Sequence, residues 1–264
     1  MTKILIVGDN CIDTYWIGTA SGMSAEAPVP VIKQTRMQVF PGMAGNIQSL
    51  IQVIAPTIET SLLIGPNPHL PIKNRLMTES GDQIARWDIE DFCTPLTIED
   101  FEGQCSGVTA IIVADYGKGA ITPGVIKHLS GLAEWGIPLM IDTKNDPFQW
   151  VGIPNVTLFP NGKEWDTWRS HYEWMPSVIH KLSGDGARQV AYGKTIHRSP
   201  ARCHSPRNVC GAGDAVIAAY IVASTWGWDR DACLNFSQEV AGRLVAAPFD
   251  CRYTSLAPEE RLAV

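Results

Sequence analysis

Short unbroken apolar runs recur along this chain, separated by stretches with helical spacing. Lys3–Gly8 is the first, a buried run closed by Gly8-Asp9, and it reads as a parallel strand covered on both faces. Residues 60–64, 109–114, 137–141 and 156–159 read the same way. Helical spacing follows at 47–54, and again from Thr122 to about Glu134, with Thr at the cap and Pro123 in the first turn. Ile72–Thr78 and Gln83–Ile89 flank Glu79-Ser80-Gly81-Asp82 and predict a hairpin, set off from the preceding strand by the breaker Gly65-Pro66-Asn67-Pro68. Residues 27–33 carry two prolines. They can form an edge strand or part of a small sheet outside the main one, but not a central strand. Residues 178–182 and 187–192 predict a late β segment, and 215–223 and 229–247 two apolar helices. Strands alternating with helices give an α/β fold with a mainly parallel central sheet.

Parallel strands bring their carboxyl ends to one edge, where open α/β sheets bind ligands. Three successive predicted strands end in polar residues: Asp115, then Asp142 and Lys144, then Asn161 and Glu164. Such a crevice suits Mg-nucleotide and polyol chemistry. Asp9 and Asp13 follow the first strand; they either accept hydrogen bonds from sugar hydroxyls or serve as turn and cap residues. A small-residue turn, Pro41-Gly42-Met43-Ala44-Gly45-Asn46, opens the first helix. Asn46 either meets a substrate hydroxyl or caps that helix. A second turn, Gly211-Ala212-Gly213-Asp214, opens the apolar helix at 215–223. Its backbone admits an anion closely, and the first N–H groups of a helix favour negative charge. Asp214 there either takes the proton of an attacking hydroxyl in phosphoryl transfer or only caps the helix.

Composition narrows these readings. A chain of 264 residues can bury a large core as one domain, 1–264, with a small appendage. The net charge of −6 argues against a nucleic-acid or membrane-surface binder. Seven scattered cysteines with no Cys-x-x-Cys fit reduced thiols in a cytoplasmic protein. No apolar run reaches membrane-spanning length, and Ile4-Leu5-Ile6-Val7 is too short for a signal-peptide core.

The ordered set of motifs resembles the ribokinase (PfkB) family of sugar kinases, and within it the branch acting on heptose 7-phosphate. The carriers are Val7-Gly8-Asp9 with Asp13, Glu26-Ala27-Pro28-Val29-Pro30-Val31, Pro41-Gly42 with Asn46, and Asp115-Tyr116 with Lys118-Gly119. They continue with Ile141-Asp142 and Lys144, Pro160-Asn161 and Glu164, and the signature Gly211-Ala212-Gly213-Asp214. The resemblance implies a ribokinase-like three-layer sandwich with a β lid formed by about 14–40 and 71–90. It implies ATP and Mg2+ as cofactors, and phosphoryl transfer to the anomeric hydroxyl of a heptose 7-phosphate. Asp214 matches the catalytic base and Gly211, Ala212 and Gly213 the anion hole. Asn161, Glu164, Lys144, Ser183, Gly186 and Gln238 fall on the nucleotide side, with Glu164 toward the metal. Asp9, Asp13, Gly42, Asn46 and Asp115 fall on the sugar side.

In the lid, Lys33, Lys73, Arg75 and Arg86 are the candidates for the far phosphate, the arginines favoured for their planar fork, against the alternative of a solvated hairpin face. A homodimer through the lid is expected. Departures from the family pattern are Met43 for a glycine, Cys210 for Thr, Asn208 for Asp, and Gln238 for a late-helix Asn. Shortened segments after Ile64 and between Glu164 and Val178, and the absence of a nucleotidyltransferase half, suggest a trimmed, kinase-only chain.

Overall fold

In chain order the strands are β1 (Lys3–Gly8), β2 (Asn10–Met23), β3 (Pro30–Met43), β4 (Glu59–Leu63), β5 (Ile72–Thr78), β6 (Gln83–Ile89), β7 (Ala110–Asp115), β8 (Leu139–Thr143), β9 (Val156–Leu158), β10 (Val178–Lys181), β11 (Ala187–Ala191) and β12 (Lys194–Ser199). The helices are α1 (Ala44–Ile54), α2 (Pro123–Glu134), α3 (Gly162–Tyr172), α4 (Ala212–Thr225) and α5 (Arg230–Ala246). The computed structural model describes residues 2–66, 70–89, 92–248 and 253–256. Asn67 and Pro68 of the predicted breaker, and residue 90 at the end of the second lid segment, lie outside them.

β1 shows how the body is layered. Its side chains alternate between faces, so Ile4 and Ile6 pack into one core and Leu5 and Val7 into the other. The first core is completed by α1, α4 and α5, the second by α2 and α3. The central sheet runs β12-β11-β10-β9-β8-β7-β1-β4. From β4 to β10 every pairing is parallel, and β11 and β12 extend one edge antiparallel. The chain leaves β1 toward β4 through α1 on one face, and β7 toward β8 through α2 on the other. β1 therefore stands beside a switch point, where a crevice opens above the strand ends. Nine consecutive residues of α4, 215–223, are buried, which is why its sequence lacks a polar stripe.

A second sheet, ordered β3-β2-β5-β6, stands apart from the first. β3 is its edge strand, as the prolines require, and β5 and β6 form the predicted hairpin. Two features were not anticipated. The chain from Asn10 forms a 14-residue strand, and β3 continues to Met43 without a break before α1. β12 also lacked a signal in the apolar pattern, because five of its six residues face outward in part or wholly.

Candidate active site

The α4 turn comes first. Gly211 occupies the N-cap position at φ 76°, ψ 4°, a left-handed conformation that glycine adopts without strain. No side chain caps the helix, so the first-turn N–H groups remain available to an anion. Asp214 does not cap it either. Its Oδ1 accepts from the Tyr116 hydroxyl at 2.6 Å and its Oδ2 from Asn46 Nδ2 at 2.5 Å. Burial pushes the Asp214 carboxyl above the usual carboxylate range, against the pull of these two hydrogen bonds. Asn46 likewise is not a cap: that position is Met43, which offers no side-chain bond.

A second group gathers on the ends of β8 and β10. Asp142 is buried and accepts from Lys144 Nζ at 3.1 Å and Lys181 Nζ at 2.9 Å. Burial alone would raise its pKa; the two ammonium groups outweigh that and hold it below the usual range. Burial opposes the Lys144 charge in turn, and Asp142 and Glu164 overcome it. Asn161 and Glu164 form a reciprocal capping box at the start of α3. Both Glu164 oxygens are engaged, Oε1 by Lys144 (2.5 Å) and Asn161 Nδ2 (2.6 Å), Oε2 by the Asn161 N–H (2.8 Å). Direct ligation of Mg2+ by Glu164 does not fit this arrangement. Among the described residues no cluster of three His, Cys, Asp or Glu side chains could hold a metal.

Lys181 is a cavity-lining residue that sequence reasoning missed. A Cβ added to Gly213 would lie 3.4 Å from its Nζ, so the cation sits beside the 211–214 turn. It ends β10, and the strand-end rule applied one strand further would have found it.

On the lid side, the half-buried Asp13 and the buried Arg75 form an ion pair at 2.5 Å, with the guanidinium 5.0 Å from the Tyr15 ring centre. A Cβ at Gly42 would lie 2.4 Å from Cys11 Sγ and 2.7 Å from Asp13 Oδ2, so this close approach requires glycine. Met43 lies at φ 52°, ψ −127°, a region costly for a side-chain-bearing residue. Lys73 lines the cavity, its Nζ 5.6 Å from the Tyr116 ring centre.

Three sequence candidates have other partners. Asp9 is fully buried and accepts from the N–H groups of Tyr116, Lys118 and Ala120, so it shapes the loop after β7. Asp115 is buried against Thr143 and Asn145. Arg86 pairs with Asp88 on an exposed strand. None of the three lines the cavity.

The cavity itself holds about 560 Å³ and brings together Asp13, Asn46, Lys73, Arg75, Lys144, Asn161, Lys181 and the 211–214 turn. Ser183, Gly186 and Gln238 also line it. The Gln238 Nε2 is buried with no hydrogen-bond partner among the described residues.

An uncapped helix start, a carboxylate beside it and side chains of the small β sheet thus share one cavity. A pfkB-family carbohydrate kinase model matches residues 156–248. The chain is 27% identical to the bifunctional protein HldE of Granulibacter bethesdensis, over 93% of this chain and 61% of that protein. It is 30% identical to HldE of Pseudomonas putida, over 92% and 60% respectively. It thus spans about three fifths of the length of these curated relatives. Among solved structures it is similar to Escherichia coli phosphofructokinase-2 complexed with substrates and products (TM-score 0.73, 13% identity, covering 93% and 94% of the two chains). It is also similar to Arabidopsis thaliana ribokinase complexed with ribose and ATP (TM-score 0.68, 16% identity, covering 96% and 97%). Both likenesses establish the ribokinase-like fold. No helix among the described residues is long and apolar enough to cross a membrane.

Proposed function

We propose that this chain transfers the γ-phosphoryl group of ATP to the anomeric hydroxyl of a heptose 7-phosphate. The observation that carries the reading is the Asp214 carboxylate, held by Tyr116 and Asn46 at the mouth of an uncapped helix start. Asp214 takes the proton of the sugar hydroxyl as that oxygen bonds to the γ-phosphorus. The bond from phosphorus to the bridging oxygen breaks, and ADP leaves with that oxygen. The N–H groups of the 211–214 turn hold the charge on the transferring group, and Lys181 adds a cation beside them. Lys144 and Asn161 face the donor phosphates, and Ser183, Gly186 and Gln238 the rest of the nucleotide. Asp13 and Asn46 bind sugar hydroxyls. The likeness to HldE supports a heptose substrate.

The far phosphate of such a substrate needs a cation away from Asp214. Arg75 is committed to Asp13 and Arg86 to Asp88, and of the two lid lysines only Lys73 lines the cavity, so it takes this role. The exposed apolar residues Val29, Val31, Met37 and Val39, on or beside the edge strand β3, support a homodimer through the lid sheet. Light scattering at micromolar concentration checks the dimer, and a strictly monomeric mass contradicts it. The absence of a disulfide among the described residues supports a cytoplasmic setting.

ATP turnover on paired phosphorylated and free sugars, with Asp214→Asn as the blank, tests the activity. Heptose 7-phosphate is expected to be phosphorylated far faster than the free heptose, and Lys73→Ala to narrow that preference while leaving the KM for ATP unchanged. Equal rates on both members of each pair would remove the phosphate pocket. No turnover on any sugar would leave a binding protein.

A further inference from the structure

The hydrogen bonds around Asp214 reach further than the cavity. Asn46 lies on the first turn of α1 and is buried. While its Nδ2 donates to Asp214, its Oδ1 accepts from the Tyr253 hydroxyl at 2.7 Å. Tyr253 lies 207 residues along the chain from Asn46, beyond α5. Its ring packs on Phe40 of β3, with centres 5.7 Å apart, and Phe40 packs edge-on against Tyr15 of β2 at 5.9 Å. One face of Tyr253 thus touches the lid sheet, and its hydroxyl is one side chain away from the carboxylate. β3 also runs directly through Met43 into α1, so the strand that carries Phe40 carries Asn46 three residues past its end.

We propose that Tyr253 is a positioning residue: its hydroxyl sets the Asn46 amide against Asp214, and its ring ties that setting to the seating of the lid. The inference rests on the reading of Asp214 as the base. An amide can present either its oxygen or its nitrogen to a neighbour. A donor on Oδ1 selects the orientation in which Nδ2 points at the carboxylate. The same bond polarises the amide and strengthens its donation, because linked hydrogen bonds reinforce one another. Tyr253 thereby favours the ionised form of Asp214, the form able to accept a proton. Other groups act on that carboxylate as well: Tyr116 from the loop after β7, Asp142 from β8, Lys181 from β10 and Cys11 from β2. None of these touches the lid through Phe40, so the Tyr253 contribution is separable from theirs.

The test reads Asp214 directly. Protein labelled with carbon-13 at the aspartate side chains is titrated, the Asp214 signal being the one lost in Asp214→Asn. In Tyr253→Phe the midpoint is expected to move to higher pH. In Phe40→Leu, which keeps the hydroxyl and removes the ring contact, it moves the same way by less. With heptose 7-phosphate as acceptor, Tyr253→Phe lowers kcat about three- to tenfold, the worth of one hydrogen bond. The acidic limb of the kcat profile moves up in pH and the KM for ATP stays unchanged. A residue that only braced the fold would lower stability without moving the midpoint. An unmoved Asp214 midpoint in folded Tyr253→Phe overturns the proposal, whatever the rate does. Should that variant fail to fold, an unmoved midpoint in Phe40→Leu overturns it. A moved midpoint in a protein with no turnover on any sugar supports the positioning role and overturns the kinase reading instead.

Discussion

Arg75 and Arg86 stand opposite each other across β5 and β6, and Lys144 and Lys181 converge on one carboxylate at the edge of the central sheet. The two sheets use similar charges differently. At the strand ends of the body, cations, carboxylates and an amide gather round one cavity, because parallel strands deliver their ends to a single edge. On the lid sheet the arginines are held by neighbours within the same sheet, Asp13 for one and Asp88 for the other. A cation on a strand end is directed by topology toward a ligand. A cation on a hairpin is free to find a partner within its own sheet, and two of the three here do.

The largest expected effect lies in the body. Asp214→Asn keeps the shape and removes the base, so kcat should fall by about 10²–10⁴-fold with the KM for ATP little changed. A near-normal kcat would mean that the carboxylate is structural, like Asp115. The raised pKa of Asp214 also sets a sign. The base works ionised, so the wild-type rate should fall as pH is lowered through a range above that of an ordinary carboxylate. A rate flat down to that ordinary range would remove the assignment.

The next effect separates the two lid arginines. Arg75→Ala removes a buried guanidinium and leaves the half-buried Asp13 without its partner, and should cost clearly more in denaturant unfolding than the loss of an exposed pair. Arg86→Ala breaks an exposed pair and should cost about 0–1 kcal/mol. Equal losses would mean that the lid does not distinguish a largely buried from an exposed pair.

The smallest difference between paired variants is expected where β3 passes into α1. Met43→Ala removes a buried side chain and should cost about 2–5 kcal/mol, with the backbone strain retained. Met43→Gly removes the same side chain and relieves a conformation costing about 1–3 kcal/mol, so it should be the milder substitution. Unfolding midpoints in which the glycine variant is the worse would show that Met43 is unstrained.

The body was readable because its signals are local. An apolar run closed by a polar residue marks both a strand and its ligand-facing end, as at β7, β8 and β9. The turn at 211–214 announced itself by the absence of bulk. Which polar residue reaches the cavity was not local. Asp9 and Asp13 follow the same strand, yet one is closed in by three backbone amides and the other lines the cavity. Asp115 and Asp142 both end or nearly end strands, yet one holds a loop and the other holds two lysines. These outcomes depend on partners from distant segments, which spacing along the chain does not encode. β2 escaped notice because its outer third is exposed and carries no alternation strong enough to mark it.

The all-buried helix α4 has a consequence for how the protein is made. Its nine consecutive buried residues pack into the core formed by α1 and β1, and Asn46 and Asp214 are 168 residues apart. During synthesis the N-terminal elements emerge long before the helix that fills the trough between them. Until α4 arrives, that trough is apolar and open, and contacts at such separation close slowly. A chain stalled short of α4 therefore has an unfinished core and lacks Asp214.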